Sequence, residues 1–278
     1  RRRQRQMCIR DRKLSVTGYQ DYNDAQKILK EVNKYRKKNG RKALKMDRGL
    51  TNSAIMRGFE TTIYIPETSP HRRPNGKLSK SINKKIIYEN CAQSAETTPK
   101  QIVKGWINSS THRKGLLLSN AKSVGVAAVT VVSRDGYEAN TWVLDFSSSK
   151  AKKVEKSKAR KQFTKNIVTK NSYLKKSYLK LDSRYGTIWE TEKMQMKPTY
   201  QGKMMKEYGV YPTVINTSSF TSWKSSNPSV ASVDSNGRIT GNKAGTVTIS
   251  AKLKTGTKIT ISKKIKVVPT NQQIDPWE

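Results

Sequence analysis

The 278 residues carry 56 lysines and arginines against 20 aspartates and glutamates, a formal charge of +36, and 34% are hydrophobic. That length and apolar content exclude a wholly disordered chain and fit two modest domains rather than one large one, and no stretch is apolar over the ~20 residues a membrane span needs. Two cysteines are too few for a disulfide framework, and lysines spread along the whole chain instead of gathering beside aromatics disfavour nucleic acid as a partner.

Residues 1–18 contain no apolar core of the kind a signal peptide needs. Met7-Cys8-Ile9-Arg10-Asp11-Arg12 looks like translated sequencing adapter, so this segment is expected to be artefactual or disordered, with a true leader missing; a genuine basic arm is the other reading. From Asp21 to Lys38, Tyr22, Ala25, Ile28, Leu29, Val32 and Tyr35 recur at helical spacing, and Gly40 suits the stop. Leu50 to Phe59 predicts a second helix. Thr98-Pro99 predicts the start of a third, with Ile102, Val103 and Trp106 as its buried face. Ser123 to Val132 is dense in valine and alanine, and Arg134-Asp135-Gly136 predicts a hairpin turn toward Asn140 to Phe146.

The only two histidines sit in polar phrases: His71 in Pro70-His71-Arg72-Arg73-Pro74-Asn75-Gly76, and His112 in Trp106-Ile107-Asn108-Ser109-Ser110-Thr111-His112-Arg113. Imidazole titrates nearest neutral pH and is the commonest metal ligand, so these phrases are the first place to look for chemistry. Between them lies Tyr88-Glu89-Asn90-Cys91-Ala92, whose cysteine reads as a small buried hydrophobe. Spacing alone leaves two readings open. Glu89 and the two imidazoles converge in one cleft, or the carboxylate caps a surface element and each histidine is a hydrogen-bonded loop residue.

After Phe146 the composition shifts. Lys150, Lys152, Lys153, Lys156, Lys158, Arg160, Lys161 and Lys165 face only Glu155, so 148–170 reads as an extended, self-repelling linker. Beyond it, Val230 to Val233, Thr246 to Ala251, Lys258 to Ile261 and Lys264 to Val268 predict short strands. Turn signals at Asn236-Gly237, Gly241-Asn242 and Gly256 separate them, as in a β-sandwich.

The ordered set Val32-Asn33-Lys34-Tyr35-Arg36, Gly40, Leu44, Asp47, Leu50, Ala54, Arg57, Glu60, the two histidine phrases, Glu89-Asn90, Val124-Gly125-Val126 and Trp142-Val143 with Phe146 closely resembles bacterial members of the CAP superfamily. These are secreted SCP-like domains related to cysteine-rich secretory proteins. The resemblance implies an α-β-α sandwich over 19–147, an extracellular or cell-surface protein, and a cleft lined by His71, Glu89 and His112. Many eukaryotic relatives carry a second cleft glutamate where Ser109 stands, and Tyr88 replaces a family glycine, so the implied metal set of His71, Glu89 and His112 is expected to hold zinc weakly or not at all. No cofactor is required.

Trp223-Lys224-Ser225-Ser226-Asn227-Pro228-Ser229-Val230, then Asn236-Gly237 and Ala244-Gly245-Thr246-Val247, is similar to the bacterial Ig-like group 2 domain. That resemblance implies an Ig-like sandwich over 171–269, used for spacing or surface association, with a tail at 270–278. The whole is expected to be α+β, a CAP sandwich followed by an all-β sandwich. Two functions stay in play. One is a binding module whose cleft of His71, Glu89, Ser109 and His112 takes a small ligand, lipid, peptide or cation. The other is an extracellular hydrolase using Ser109 or metal-activated water with His112 and Glu89. The charge of +36 suits cell-wall or other anionic surface polymers as partners, and a solvated lysine-rich surface with no partner explains it equally well.

Overall fold

The computed structural model describes residues 13–63, 71–94, 97–133, 136–183, 185–254 and 258–272. It divides into two compact units: Thr17–Lys165, and residues up to Val16 together with those from Asn166 onward. The adapter-like phrase, the first two residues of the predicted hairpin turn and Gly256 lie outside the described residues.

The first unit is built on a sheet ordered β3-β5-β4-β1-β6, with β2 pairing on β4. Its strands are β1 (Lys13–Asp21), β2 (Lys45–Met46), β3 (Tyr88–Ser94), β4 (Ser123–Val132), β5 (Glu138–Ser147) and β6 (Arg160–Val168). Helix α1 (Tyr22–Lys38) starts where Asp21 accepts a bond from the Asp24 amide. Helix α2 (Arg48–Thr61) starts where Asp47 accepts from Leu50. Helix α3 (Pro99–Asn108) opens with a reciprocal cap between Thr98 and Gln101, and a separate short helix, α4 (Ser110–Leu116), follows.

Alternation along β5 explains the layering. Trp142, Leu144 and Phe146 face one way, packing with Val124, Val126 and Ala128 of β4 against Ile28 and Val32 of α1, Trp106 of α3 and Leu116 of α4. The opposite face is covered by α2, which approaches β4 so closely that a Cβ on Gly125 would lie 2.2 Å from the Leu50 carbonyl carbon. Only glycine allows that contact. The α-β-α sandwich follows from these two faces.

Two expectations about the flanks need correction. Residues 13–18, assigned to a disordered N-terminus, form most of β1: Leu14 and Val16 are fully buried, and Ser15, which belongs with the second unit, bonds to Ser219 and Asn216 of that same unit. The stretch 148–170 is not a free linker. The Lys152 amide donates to Asp47, Arg48 donates its amide to the Lys153 carbonyl, the Glu155 amide donates to Met46, and Tyr22 bonds the Ala159 carbonyl before the chain enters β6. The buried Glu155 carboxylate accepts from Arg48 and from the amides of Lys156 and Ser157. The lysines meanwhile point outward, so composition recorded the solvated side chains and missed the satisfied backbone.

The second unit is dominated by strands: β7 (Leu179–Asp182), β8 (Thr187–Trp189), β9 (Lys193–Gln195), β10 (Lys197–Tyr200), β11 (Thr213–Val214), β12 (Phe220–Ser225), β13 (Ala231–Val233), β14 (Arg238–Gly241), β15 (Gly245–Leu253) and β16 (Thr260–Val268), with one short helix, α5 (Lys203–Glu207). They form sheets β12-β15-β16-β8, β13-β14-β9 and β11-β10-β7. The two strands expected at 258–268 are one, β16, in an eight-pair antiparallel register with β15. Val247, Ile249 and Ala251 alternate inward with Ile261, Ile265 and Val267 to form this core.

Candidate functional site

The site assembles at β3, an edge strand of the first sheet. Glu89 projects toward α2, and its carboxylate is 1% exposed. Arg57 of α2 grips it with a two-pronged pair, Nε to Oε2 at 2.9 Å and Nη2 to Oε1 at 3.2 Å. A second carboxylate, Glu60, one helical turn on, accepts from Arg57 Nη1 at 3.0 Å and from Arg73 Nη2 at 2.7 Å. His71 completes the chain, its Nδ1 2.9 Å from Glu89 Oε1 with the ring 35% exposed. Behind a half-exposed imidazole therefore stands a buried network of two carboxylates and two guanidiniums.

Burial by itself would raise the Glu89 carboxyl. The His71 hydrogen bond and the Arg57 charge outweigh it and hold Glu89 below the ordinary carboxylate range. Asp145 is directly opposite Glu89 in the β3–β5 register, fully buried, with neither carboxyl oxygen hydrogen-bonded. Burial first, then the Glu89 charge, pushes Asp145 well above its ordinary range. Two guanidiniums already balance two carboxylates here, so the third carboxyl is driven toward its neutral form. The same causes push the Cys91 thiol up to about 12. It is inert at neutral pH, but the residue is half-buried, not the enclosed small hydrophobe its sequence context suggests.

His112 and Ser109 approach from the other side of the sheet. Ser109 breaks the helical run between α3 and α4 in an extended conformation, so α4, and not α3, delivers His112. His112 Nδ1 lies 2.9 Å from Ser109 Oγ. Burial, then the nearby His71, lowers the His112 pKa, so the ring is neutral at neutral pH. Asn90 donates to the His112 carbonyl at 2.9 Å and the Tyr88 hydroxyl donates to the Thr111 carbonyl at 2.9 Å, which fixes α4 on the strand. Tyr88, in place of a family glycine, was expected to hinder a cation's approach to the cleft. Neighbouring strand residues point to opposite faces, so its ring instead lies under Gly115, where a Cβ would come within 2.8 Å of it.

The four expected residues thus form two pairs, His71–Glu89 and Ser109–His112, and the suggested Ser109–His112–Glu89 triad is not made. The carboxylate orients the wrong histidine for it. The zinc set does not fit either: both Glu89 oxygens accept from Arg57, and among the described residues no group of three or more His, Cys, Asp or Glu side chains is arranged to hold a metal ion. Arg57, Glu60, Arg73 and Asp145 were given no role from sequence. For two of them a signal was present, since the charged Arg57 and Glu60 fall beside Ala54, Ile55 and Phe59 on the buried part of α2.

Comparison with known proteins agrees with this layout. Residues 29–146 match the model of the cysteine-rich secretory protein family, CAP, and residues 201–265 match that of the bacterial Ig-like domain, group 2. The chain carries a CAP domain followed by a bacterial Ig-like domain. The Bacillus subtilis (strain 168) protein YkwD is 33% identical over 119 residues, which cover 41% of this chain and 44% of that protein, so the chain spans less than half the length of this relative. Among solved structures, an extracellular SCP-domain protein from Bacillus anthracis str. Ames is 19% identical, covering 45% of this chain and 41% of that one with a TM-score of 0.34. An outer surface protein from Borrelia burgdorferi is 17% identical, covering 47% of this chain and 98% of that one with a TM-score of 0.35. Among the described residues no helix of either domain is long and apolar enough to cross a membrane.

Proposed function

We propose that this is an extracellular or cell-surface protein whose CAP domain binds a small lipid or peptide through His71 and His112, while the Ig-like domain spaces it from, or attaches it to, an anionic surface. The carrying observation is the contrast at His71: a ring 35% exposed, backed by a Glu89 carboxylate 1% exposed. Burying ion pairs is costly, and such networks serve orientation better than they serve stability. Here the Glu89 carboxylate accepts from His71 Nδ1 and so fixes the ring, with Nε2 left unbound by that carboxylate and a neutral His112 nearby. Two imidazoles so prepared suit the polar end of a ligand and need no cofactor. The extracellular placement draws on the secretory protein family that residues 29–146 match, and the surface association on the net charge of +36.

A hydrolase is the second reading, favoured by the 2.9 Å contact between Ser109 and a neutral His112. A serine–imidazole pair without a carboxylate on the ring is a weaker arrangement than a triad. Because the chain has only two histidines, their ring carbon–proton NMR signals report the site without interference. Titration with a long-chain fatty acid and with a short alanine-rich peptide is expected to move both signals with one of the two, and the single variants His71→Ala and His112→Ala are each expected to leave the one remaining histidine signal unmoved. If neither probe shifts them, the binding reading fails. Ester or peptide hydrolysis lost in Ser109→Ala would replace it with the hydrolase.

A further inference from the structure

The same CAP domain carries a second feature, away from the histidines. The turn after α1, the segment before β4 and the segment after β5 enclose a groove of about 660 Å³. Arg41, Lys42, Lys45, Lys122 and Lys150 line it, all exposed, and no carboxylate does. Among the described residues none of these five takes part in an ion pair. In a chain with 20 acidic residues, the segments 39–46, 117–123 and 147–154 contain none.

The walls are held in place by buried bonds. Arg36, fully buried, donates from Nε to the Lys42 carbonyl at 2.9 Å and from Nη1 to the Leu116 carbonyl at 2.6 Å and the Leu118 carbonyl at 3.2 Å, tying the first wall to the second. Asn33 brackets Leu44 through both its amide and carbonyl, at 2.8 and 3.0 Å. The Lys122 amide donates to Ser147 at 2.8 Å and Ser123 Oγ to the Ser149 carbonyl at 2.7 Å, which ties the second wall to the third. The backbone that carries the five cations is therefore fixed before an anion enters, so binding orders only their side chains.

We infer that this groove is an anion-binding site for a flexible, linear polyanion that carries no aromatic bases, such as a phosphate-linked polymer chain. The inference rests on the surface-association half of the proposed function and names where that association occurs. Ala43, Ala121, Ala151 and Ser119 make up the floor and sides between the cations. No aromatic side chain lines the groove, so bases have nothing to stack on, and none of the exposed large hydrophobic residues lies there to enter a bilayer.

The test measures binding of the full chain to long-chain inorganic polyphosphate at low and physiological salt. One variant carries glutamine at Arg41, Lys42, Lys45, Lys122 and Lys150; a control of equal charge carries glutamine at the exposed Lys34, Lys84, Lys85, Lys100 and Lys104. Circular dichroism melting verifies that both fold, and single Lys122→Glu serves if the first does not. The groove variant should lose at least about 10-fold in affinity and show a shallower salt slope, while the control stays within about 3-fold. Equal losses in the two variants would show that net charge alone binds, and would overturn the groove while sparing surface association. No binding of the wild-type chain at low salt would overturn both. Tighter groove-dependent binding of oligothymidylate, or of phosphatidylglycerol vesicles, would replace the polymer with nucleic acid or membrane.

Discussion

At the scale of single residues, Glu89 and Asp145 are neighbours across two strands with opposite fates. Glu89 meets Arg57 and His71, so its pKa falls; Asp145 meets nothing that can hydrogen-bond it, so its pKa rises. Linkage turns this into opposite pH dependences. Glu89 contributes stability that is present above the ordinary carboxylate pKa of about 4 and is lost as pH falls through its depressed folded value. Asp145 binds its proton more tightly folded than unfolded, so the stability associated with that proton is full below about pH 4 and declines as pH rises toward the raised folded value. Asp145→Asn removes that decline. Urea denaturation at several pH values is expected to show the variant gaining on the wild type from about pH 4 to pH 7, by up to about 1.4 kcal/mol per pH unit. A difference that stays flat over that range would mean Asp145 ionises normally in the folded protein, and the charge count of the network would have to be redrawn.

At the scale of elements, sequence patterning exposed what depends on side-chain periodicity and hid what depends on backbone partners. The apolar spacing of α1 and the Thr98-Pro99 start of α3 are visible because caps and buried faces are written in residue type. Leu14 and Val16 of β1 also alternate, but the suspect phrase at 7–12 drew the boundary past them. Strand β6 gives almost no signal, since Arg160 to Lys165 stays exposed or half-exposed and only Ile167 is fully buried. The positions of His71, Glu89, Ser109 and His112 were legible, whereas their pairing was not, because it is decided by which face of β3 meets α2. For the segment 150–159 the physical prediction reverses the one its composition suggests. Limited trypsin digestion should leave Lys150 to Lys158 uncut while the Arg48–Glu155 pair and the bonds to Asp47 and Met46 hold. Glu155→Gln weakens the anchor, so cleavage there is expected to accelerate on the order of 10-fold, consistent with the loss of roughly 1.4 kcal/mol of local protection. Rapid cutting of the wild-type chain in this segment would show that the strap does not hold in solution.

At the scale of the whole molecule, two similarity-defined domains do not coincide with two folding units. The family match ends at Phe146, yet the compact unit runs to Lys165, since the strap fastens α1, α2 and β2 and the chain then enters β6. Fragment 19–147 keeps every residue of the candidate site but loses the Glu155 anchor, β6 and the start of β1. Fragment 17–165 keeps the anchor and most of β6. Both fragments retain His71, Glu89 and His112, so their difference separates the strap, with the strand β6 that it leads into, from the chemistry. The shorter fragment is expected to be less stable on the order of 3 kcal/mol, from the lost backbone bonds and the unpaired Arg48, which for a domain of this size lowers the melting temperature by about 10 °C. Thermal melts followed by circular dichroism check this, and the two histidine NMR signals of each fragment at low temperature show whether the site survives the cut. If 19–147 melts at the same temperature as 17–165, the family boundary is the true folding boundary and the strap is decoration on a domain already complete without it.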